Sequence, residues 1–90
     1  MKRNVTVEPD AGLHARPASR FVQTANEFES EITVVGPDGE SADARSMLAV
    51  SGLAVDTGEN VTLRAEGPDA EAALDALETV LGTPEEDDPS

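Results

Sequence analysis

The chain contains a single histidine, His14, and the residues around it are suited to phosphoryl chemistry. Residues 12–18 read Gly-Leu-His-Ala-Arg-Pro-Ala, where a loop gives way to helical periodicity. The first turn of a helix has N–H groups without intrahelical partners, and its end carries about half a positive charge. The N–H groups of Ala15 and Arg16 are therefore expected to bind an anion beside the imidazole, and the Arg16 guanidinium to add charge-assisted hydrogen bonds. This pattern predicts a nucleophilic histidine that carries a phosphoryl group.

Each of these residues also has a simpler explanation. A lone histidine near a helix start is more often a cap or a surface residue than a nucleophile. Gly12 could be only a turn glycine, and Arg16 only an exposed helix residue. The combination of a single histidine at a helix start with Arg16 and Pro17 favours the chemical interpretation. Proline is tolerated in a first turn because its missing N–H would have no partner there.

Hydrophobic periodicity predicts the elements that would position this segment. Alternating apolar residues predict strands, and spacings of three and four residues predict helices. The strands are expected at 3–7, 31–35, 40–44 and 60–66, and the helices at 15–27, 46–53 and 70–81. The simplest arrangement is an α+β fold, a four-stranded and largely antiparallel sheet with all three helices on one face.

Details of two helices follow from the same pattern. Asp69 is expected to cap the last helix, and Gly82 with Pro84 to end it. The apolar stripe of the first helix is expected at Ala15, Ala18, Phe21, Val22 and Ala25. Residues 1–82 are expected to form one domain, and residues 83–90 an acidic, disordered tail.

The charge balance narrows the classes of partner. There are 19 acidic and 6 basic residues, which gives a net charge of -13 and disfavours nucleic acid as a partner. The absence of cysteine excludes disulfides and Cys-based zinc sites, and no apolar run is long enough to span a membrane. We expect a cytoplasmic monomer without metal or cofactor. Dense carboxylates are typical of proteins from a salt-rich cytoplasm, although an ordinary acidic domain remains an alternative.

The residues already quoted resemble those of a known family. Residues 12–18 resemble the active-site signature of the HPr family, the histidine-containing phosphocarriers of the sugar phosphotransferase system. Residues 45–53, Arg-Ser-Met-Leu-Ala-Val-Ser-Gly-Leu, resemble that family's short helix around its regulatory serine. Residues 67–81 resemble its last helix, so the resemblance covers residues 2–82.

The resemblance implies a fold and a function. The fold would be an open-faced β-sandwich, and the protein a phosphoryl carrier rather than an enzyme. His14 would be phosphorylated on Nδ1 by enzyme I, which draws on phosphoenolpyruvate, and would pass the group to a IIA component of a sugar permease. Arg16 would steady the phosphoryl group, and Ser46 would be the site of an HPr serine kinase.

A partner surface is also expected beside His14. Arg20 follows Arg16 by four residues on the same helix face, and Arg45 precedes the short helix that packs beside the active site in the family. These arginines would form a positive island, and Met47 with Leu48 an apolar patch. The alternative is that the three arginines are scattered over a solvated surface.

Two rival functions remain open from the sequence. One is a regulatory HPr-like protein that binds other proteins without feeding sugar transport. The other is a ligand-binding α+β module in which His14 is only a helix cap.

Overall fold

Four strands and three helices follow one another along residues 1–83, the part of the chain that the computed structural model describes. The elements are β1 (Lys2–Thr6), α1 (Ala15–Ala25), β2 (Glu31–Val35), β3 (Ser41–Asp43), α2 (Met47–Gly52), β4 (Asn60–Glu66) and α3 (Ala70–Gly82). The number, type and order of the elements are those that the sequence predicts. Of the expected tail, only Thr83 lies within the described residues, where it follows α3 directly.

The strands form one sheet in the order β1-β4-β2-β3, and every neighbouring pair is antiparallel. The register places Val5 opposite Val61, and Val34 between Leu63 and Ala42. Because side chains alternate along a strand, these apolar residues share one face of the sheet. The expectation of an open-faced sandwich with the helices on one face is confirmed.

The helices cover the apolar face of the sheet. Helix α1 packs against both α2 and α3, and α3 packs against β1, β4 and β2. Phe21 is the one fully buried aromatic residue of the described chain, so most of the core consists of valine, leucine, isoleucine and alanine. None of the helices within residues 1–83 is long and apolar enough to cross a membrane.

The predicted apolar stripe of α1 is wrong at its first residue. Ala15 is exposed, whereas Pro17, Ala18, Phe21 and Ala25 are buried. The reason is that Ala15 has a φ of 51°, in the left-handed region, so the regular helical spiral begins only after it.

Several predicted ends shift by one or two residues. Helix α1 ends at Ala25 rather than at residue 27, because the next backbone bonds, from Glu27 to Thr24 and from Phe28 to Ala25, span three residues instead of four. Strand β1 ends at Thr6, although Val7 still exchanges backbone hydrogen bonds with Gly58 and Glu59. Strand β3 is shorter at both ends than predicted, and α3 includes Gly82.

Asp69 precedes α3 as predicted, but its side chain does not cap that helix. Its carboxylate instead accepts hydrogen bonds from the backbone N–H groups of Glu29 and Ser30, at 3.0 and 2.9 Å, and from the Ser30 hydroxyl. These bonds, that of the hydroxyl foremost, hold the pKa of Asp69 below its ordinary value of 3.8. The carboxylate therefore joins the start of α3 to the start of β2.

Candidate functional site

His14 occupies the N-cap position of α1, where the loop of residues 7–13 meets the helix. Its backbone is extended, with φ of -134° and ψ of 167°, and its side chain is half-exposed. The imidazole makes no capping hydrogen bond to the helix. This rules out the simplest alternative explanation of His14, that its side chain serves as a helix cap.

The backbone beyond His14 presents unpaired donors to solvent. Within residues 1–83, the N–H groups of Ala15 and Arg16 have no hydrogen-bond acceptor, and Pro17 has no N–H to satisfy. The first helical bond is a long one, from the Ala18 N–H to the His14 carbonyl at 3.4 Å. The left-handed conformation of Ala15 costs about 1–2 kcal/mol for a residue with a Cβ. The helix thus begins with a strained residue and two donors beside the imidazole.

The residues before His14 are firmly anchored. Leu13 is fully buried, and its N–H donates to the carbonyl of Val55 at 2.9 Å. Gly12 is also buried and packs against the backbone of Val55 and Asp56. Apart from the glycine itself, nothing in the sequence pattern indicates this contact between distant segments.

Arg16 and Arg20 lie together, as their spacing predicts. Both are exposed, and both line a small depression between α1 and the end of α3 that Val80 and Thr83 also line. Neither guanidinium forms an ion pair with a carboxylate of residues 1–83. Counting only carboxylates of the described residues, two cationic groups thus lie without an ion-pair partner near the start of α1 in an otherwise acidic molecule.

Arg45 is engaged elsewhere, so the structure brings together two of the three arginines of the expected island. Its guanidinium donates to the backbone carbonyls of Phe28 and, at 3.0 Å, Ser30, both of which follow the C-terminal end of α1. His14 lies at the opposite end of this 11-residue helix, about 16 Å away at 1.5 Å per residue. The structure gives Arg45 the role of holding the loop between α1 and β2.

Ser46, Met47 and Leu48 are where the sequence places them, at the start of α2. The Ser46 hydroxyl caps α2 by accepting from the N–H of Ala49 at 3.2 Å. Met47 is 39% exposed and Leu48 is 86% exposed. They are the exposed large apolar residues of the described chain other than Met1, and they lie on a helix that packs against α1.

Within the described residues, no group of three or more histidine, aspartate or glutamate side chains is arranged to hold a metal ion. The chemistry available at the start of α1 is that of an imidazole nitrogen, two backbone donors and one or two guanidinium groups. Such a set can accept a phosphoryl group and stabilise its negative charge.

Comparison with known proteins agrees with this description of the site. A model of the family described as "PTS HPr component phosphorylation site" matches residues 1–83. The chain is 58% identical over 86 residues to the phosphocarrier protein HPr of Haloferax volcanii, covering 94% of this chain and 97% of that one. It is 43% identical over 77 residues to the HPr-like protein Crh of Bacillus subtilis, covering 86% and 89%.

A solved structure has the same fold. The crystal structure of a phosphocarrier protein HPr from Bacillus anthracis superposes with a TM-score of 0.87 at 41% sequence identity, covering 90% of this chain and 95% of that one. The structural likeness to that protein therefore extends over most of this chain.

The fold and these matches define the class of the protein as a phosphoryl carrier, which is not itself an enzyme. The chain belongs to the HPr family, and its partners are therefore those of the phosphotransferase system. The greater identity to the Haloferax phosphocarrier than to Crh favours the carrier function over a purely regulatory one. The Haloferax protein also agrees with the halophilic character that the acidic composition predicts.

Proposed function

We propose that His14 accepts a phosphoryl group from enzyme I, charged by phosphoenolpyruvate, and donates it to a IIA component for sugar uptake. The observation that carries this proposal is the placement of the chain's single histidine at the N-cap of α1, half-exposed and without a capping hydrogen bond. An imidazole in that position is accessible to a large donor protein. It also lies beside donors that a phosphate can use.

The transfer is a displacement at phosphorus. The lone pair of the His14 Nδ1 attacks the phosphorus of the donor, an N–P bond forms, and the bond from phosphorus to the donor breaks with its electron pair. The backbone N–H groups of Ala15 and Arg16 and the Arg16 guanidinium then share the negative charge of the bound group. The reverse sequence on a IIA nucleophile restores the free imidazole.

Docking would use the surface on α1 and α2. Met47 and Leu48 supply exposed apolar area, and Arg16 with Arg20 supplies positive charge that suits acidic partner faces. The expected docking role of Arg45 has less support, because its guanidinium is already engaged with the carbonyls of Phe28 and Ser30.

Ser46 is proposed as a regulatory site for an HPr serine kinase. Its hydroxyl is half-buried in its capping role, and Met47 and Leu48 follow it directly. A phosphate there would add negative charge to the apolar patch and oppose the docking of acidic partners.

Residues 1–82 are proposed to form the carrier domain, acting as a monomer in the cytoplasm. A monomer is sufficient because His14, Arg16 and the α2 patch all belong to one copy of the chain.

A label-chase experiment tests the two-step function. The protein is phosphorylated with enzyme I and labelled phosphoenolpyruvate, separated from both, and mixed with a IIA protein. Transfer of the label to IIA is the expected result. Stable retention on the carrier in the presence of several IIA proteins would contradict a transport role and favour the regulatory alternative.

A further inference from the structure

We propose that residues 54–59, which we call the support loop, position His14 for phosphoryl transfer by direct backbone contact with Gly12. The proposal rests on the proposed function of His14 as the phosphoryl acceptor. It assigns positioning roles to Gly12 and Glu59, neither of which touches the transferred group. The contact lies two residues before the nucleophile.

The contact between Gly12 and the support loop leaves no room for a side chain. Gly12 has a φ of 71°, and a Cβ at this position would lie 2.5 Å from the carbonyl oxygen of Val55 and 2.9 Å from the Cα of Asp56. Both obstacles are backbone atoms, which cannot rotate away as a flexible side chain can. Any residue larger than glycine must therefore push the two segments apart.

Displacement at Gly12 must reach His14 because little else holds the imidazole. Within residues 1–83 the His14 side chain has no hydrogen-bond partner, so its position depends on the backbone on either side of it, of which the preceding part is the more firmly held. That backbone is fixed by the Leu13 N–H on the Val55 carbonyl at 2.9 Å and by the buried Leu13 side chain. The support loop therefore fixes the backbone directly before the nucleophile, from which the imidazole extends.

The support loop is itself held in shape by Glu59. The Glu59 carboxylate accepts from the Asp56 N–H at 2.8 Å, and its backbone N–H donates to the Asp56 carbonyl at 3.1 Å. Its carbonyl accepts from the Val7 N–H at 2.9 Å, and the Gly58 N–H donates to the Val7 carbonyl at 2.7 Å. The support loop thus contacts both ends of the loop of residues 7–13, at Val7 and at Gly12 with Leu13.

The first test compares Gly12→Ala with Gly39→Ala. Gly39 has a similar φ of 88°, but nothing lies within 4 Å of a Cβ there, so this control carries the left-handed penalty without the collision. The measurement is the steady-state rate of phosphorylation by enzyme I. Because misplacement of a reacting group by about 1 Å can cost about a hundredfold, we expect Gly12→Ala to lower kcat at least about tenfold. Its KM should stay close to that of Gly39→Ala, since the α2 patch is unchanged.

A second pair of variants keeps the proposal testable if Gly12→Ala does not fold. Glu59→Ala removes the acceptor for the Asp56 N–H, whereas Glu59→Gln keeps a side-chain carbonyl there. We expect a lower kcat for Glu59→Ala and near-complete rescue in Glu59→Gln, with equal KM. A purely structural role would lower the stability of Glu59→Ala without changing the kcat of the folded protein.

The outcomes separate this proposal from the proposed function. If the wild-type protein is not phosphorylated, the proposed function of His14 as the phosphoryl acceptor is wrong. If the wild-type protein is phosphorylated and folded Gly12→Ala and Glu59→Ala match its kcat, the support loop does not position His14 and the present proposal is overturned.

Discussion

At the scale of single residues, the site combines a free side chain with a strained backbone. The His14 imidazole has no hydrogen-bond partner within residues 1–83, and Ala15 adopts a left-handed φ of 51°. Strain of this kind persists only where the surrounding structure imposes it. Here the buried side chains of Leu13 and Ala18 flank the pair and hold the chain in place. The loop and the helix thus impose the geometry, while the imidazole remains accessible.

The first prediction concerns Arg16, whose guanidinium should favour the phosphorylated state over the free one. Loss of a hydrogen bond to a charged group costs about 1.5–3 kcal/mol, so Arg16→Ala should slow transfer from enzyme I by about tenfold or more. Arg64→Ala is the matched control, since Arg64 is an exposed arginine on β4, outside the proposed site. Rapid-quench measurement of phosphohistidine formation distinguishes the two variants. Equal rates for both would remove Arg16 from the mechanism.

At the scale of elements, a residue type suited to helix capping forms a cap at one helix and a long-range contact at another. Ser46 caps α2 as its residue type predicts. Asp69 has an equally suitable type before α3, yet its carboxylate binds the backbone at Glu29 and Ser30. The Arg45 guanidinium binds the same segment through the carbonyls of Phe28 and Ser30. The turn between α1 and β2 is therefore held by side chains from two distant loops.

The second prediction follows from the lowered pKa of Asp69. Its folded-state pKa lies below the unfolded value, so its contribution to stability is present above the unfolded pKa and is lost as the pH falls through the folded one. Asp69→Asn should therefore be less stable than wild type at neutral pH, and the difference should shrink on acidification. Urea unfolding from neutral to acidic pH measures this difference in the free energy of unfolding. Asp38→Asn in the exposed β2–β3 turn is the control. A difference that stays constant with pH would contradict the assignment.

The third prediction separates the two roles of Ser46. Ser46→Ala loses only the cap, which is worth about 1 kcal/mol, and should leave the rate of phosphoryl transfer nearly unchanged. Ser46→Asp retains a capping oxygen but adds charge beside Met47 and Leu48, so it should fold normally and accept the phosphoryl group more slowly. The measurement is the rate of phosphoryl transfer from enzyme I to each variant. If the aspartate variant accepts the phosphoryl group as fast as the alanine variant, Ser46 is only a helix cap.

At the scale of the whole molecule, charge is the dominant feature. The net charge is -13 over 90 residues, and the ion pairs within residues 1–83 are those of Arg3 with Asp75 and Glu78. Repulsion between carboxylates is therefore opposed by few attractive pairs. This balance favours a fold that depends on dissolved ions for stability.

The fourth prediction is that the thermal midpoint rises with potassium chloride. At about 1 M salt the Debye length is about 3 Å, which removes most of the repulsion between exposed carboxylates. A domain of this size gains about 4–8 °C for each 1 kcal/mol, so we expect a rise of several degrees between dilute and molar salt. Calorimetry measures the thermal midpoint of unfolding. Potassium chloride is used because chloride limits salting-out effects. A midpoint that is independent of salt would argue against adaptation to a salt-rich cytoplasm.

The sequence predicted those features that depend on local pattern. The alternation of Val61, Leu63 and Ala65 gave β4 its correct bounds, and the position of His14 at a helix start followed from Pro17 and the apolar spacing. The contacts of Asp69, Arg45 and Gly12 could not be predicted, because each joins segments at least 15 residues apart. Side chains of these types have several suitable partners, and only the folded arrangement selects one.

The central claim is that this molecule carries a phosphoryl group on His14, and direct labelling tests it. Wild-type protein and His14→Ala, both shown by circular dichroism to be folded, are incubated with enzyme I and labelled phosphoenolpyruvate. We predict label on the wild type alone, labile in acid and stable in base, as expected of a phosphoramidate. Acid-stable label on the wild type, or undiminished labelling of His14→Ala, would contradict the account.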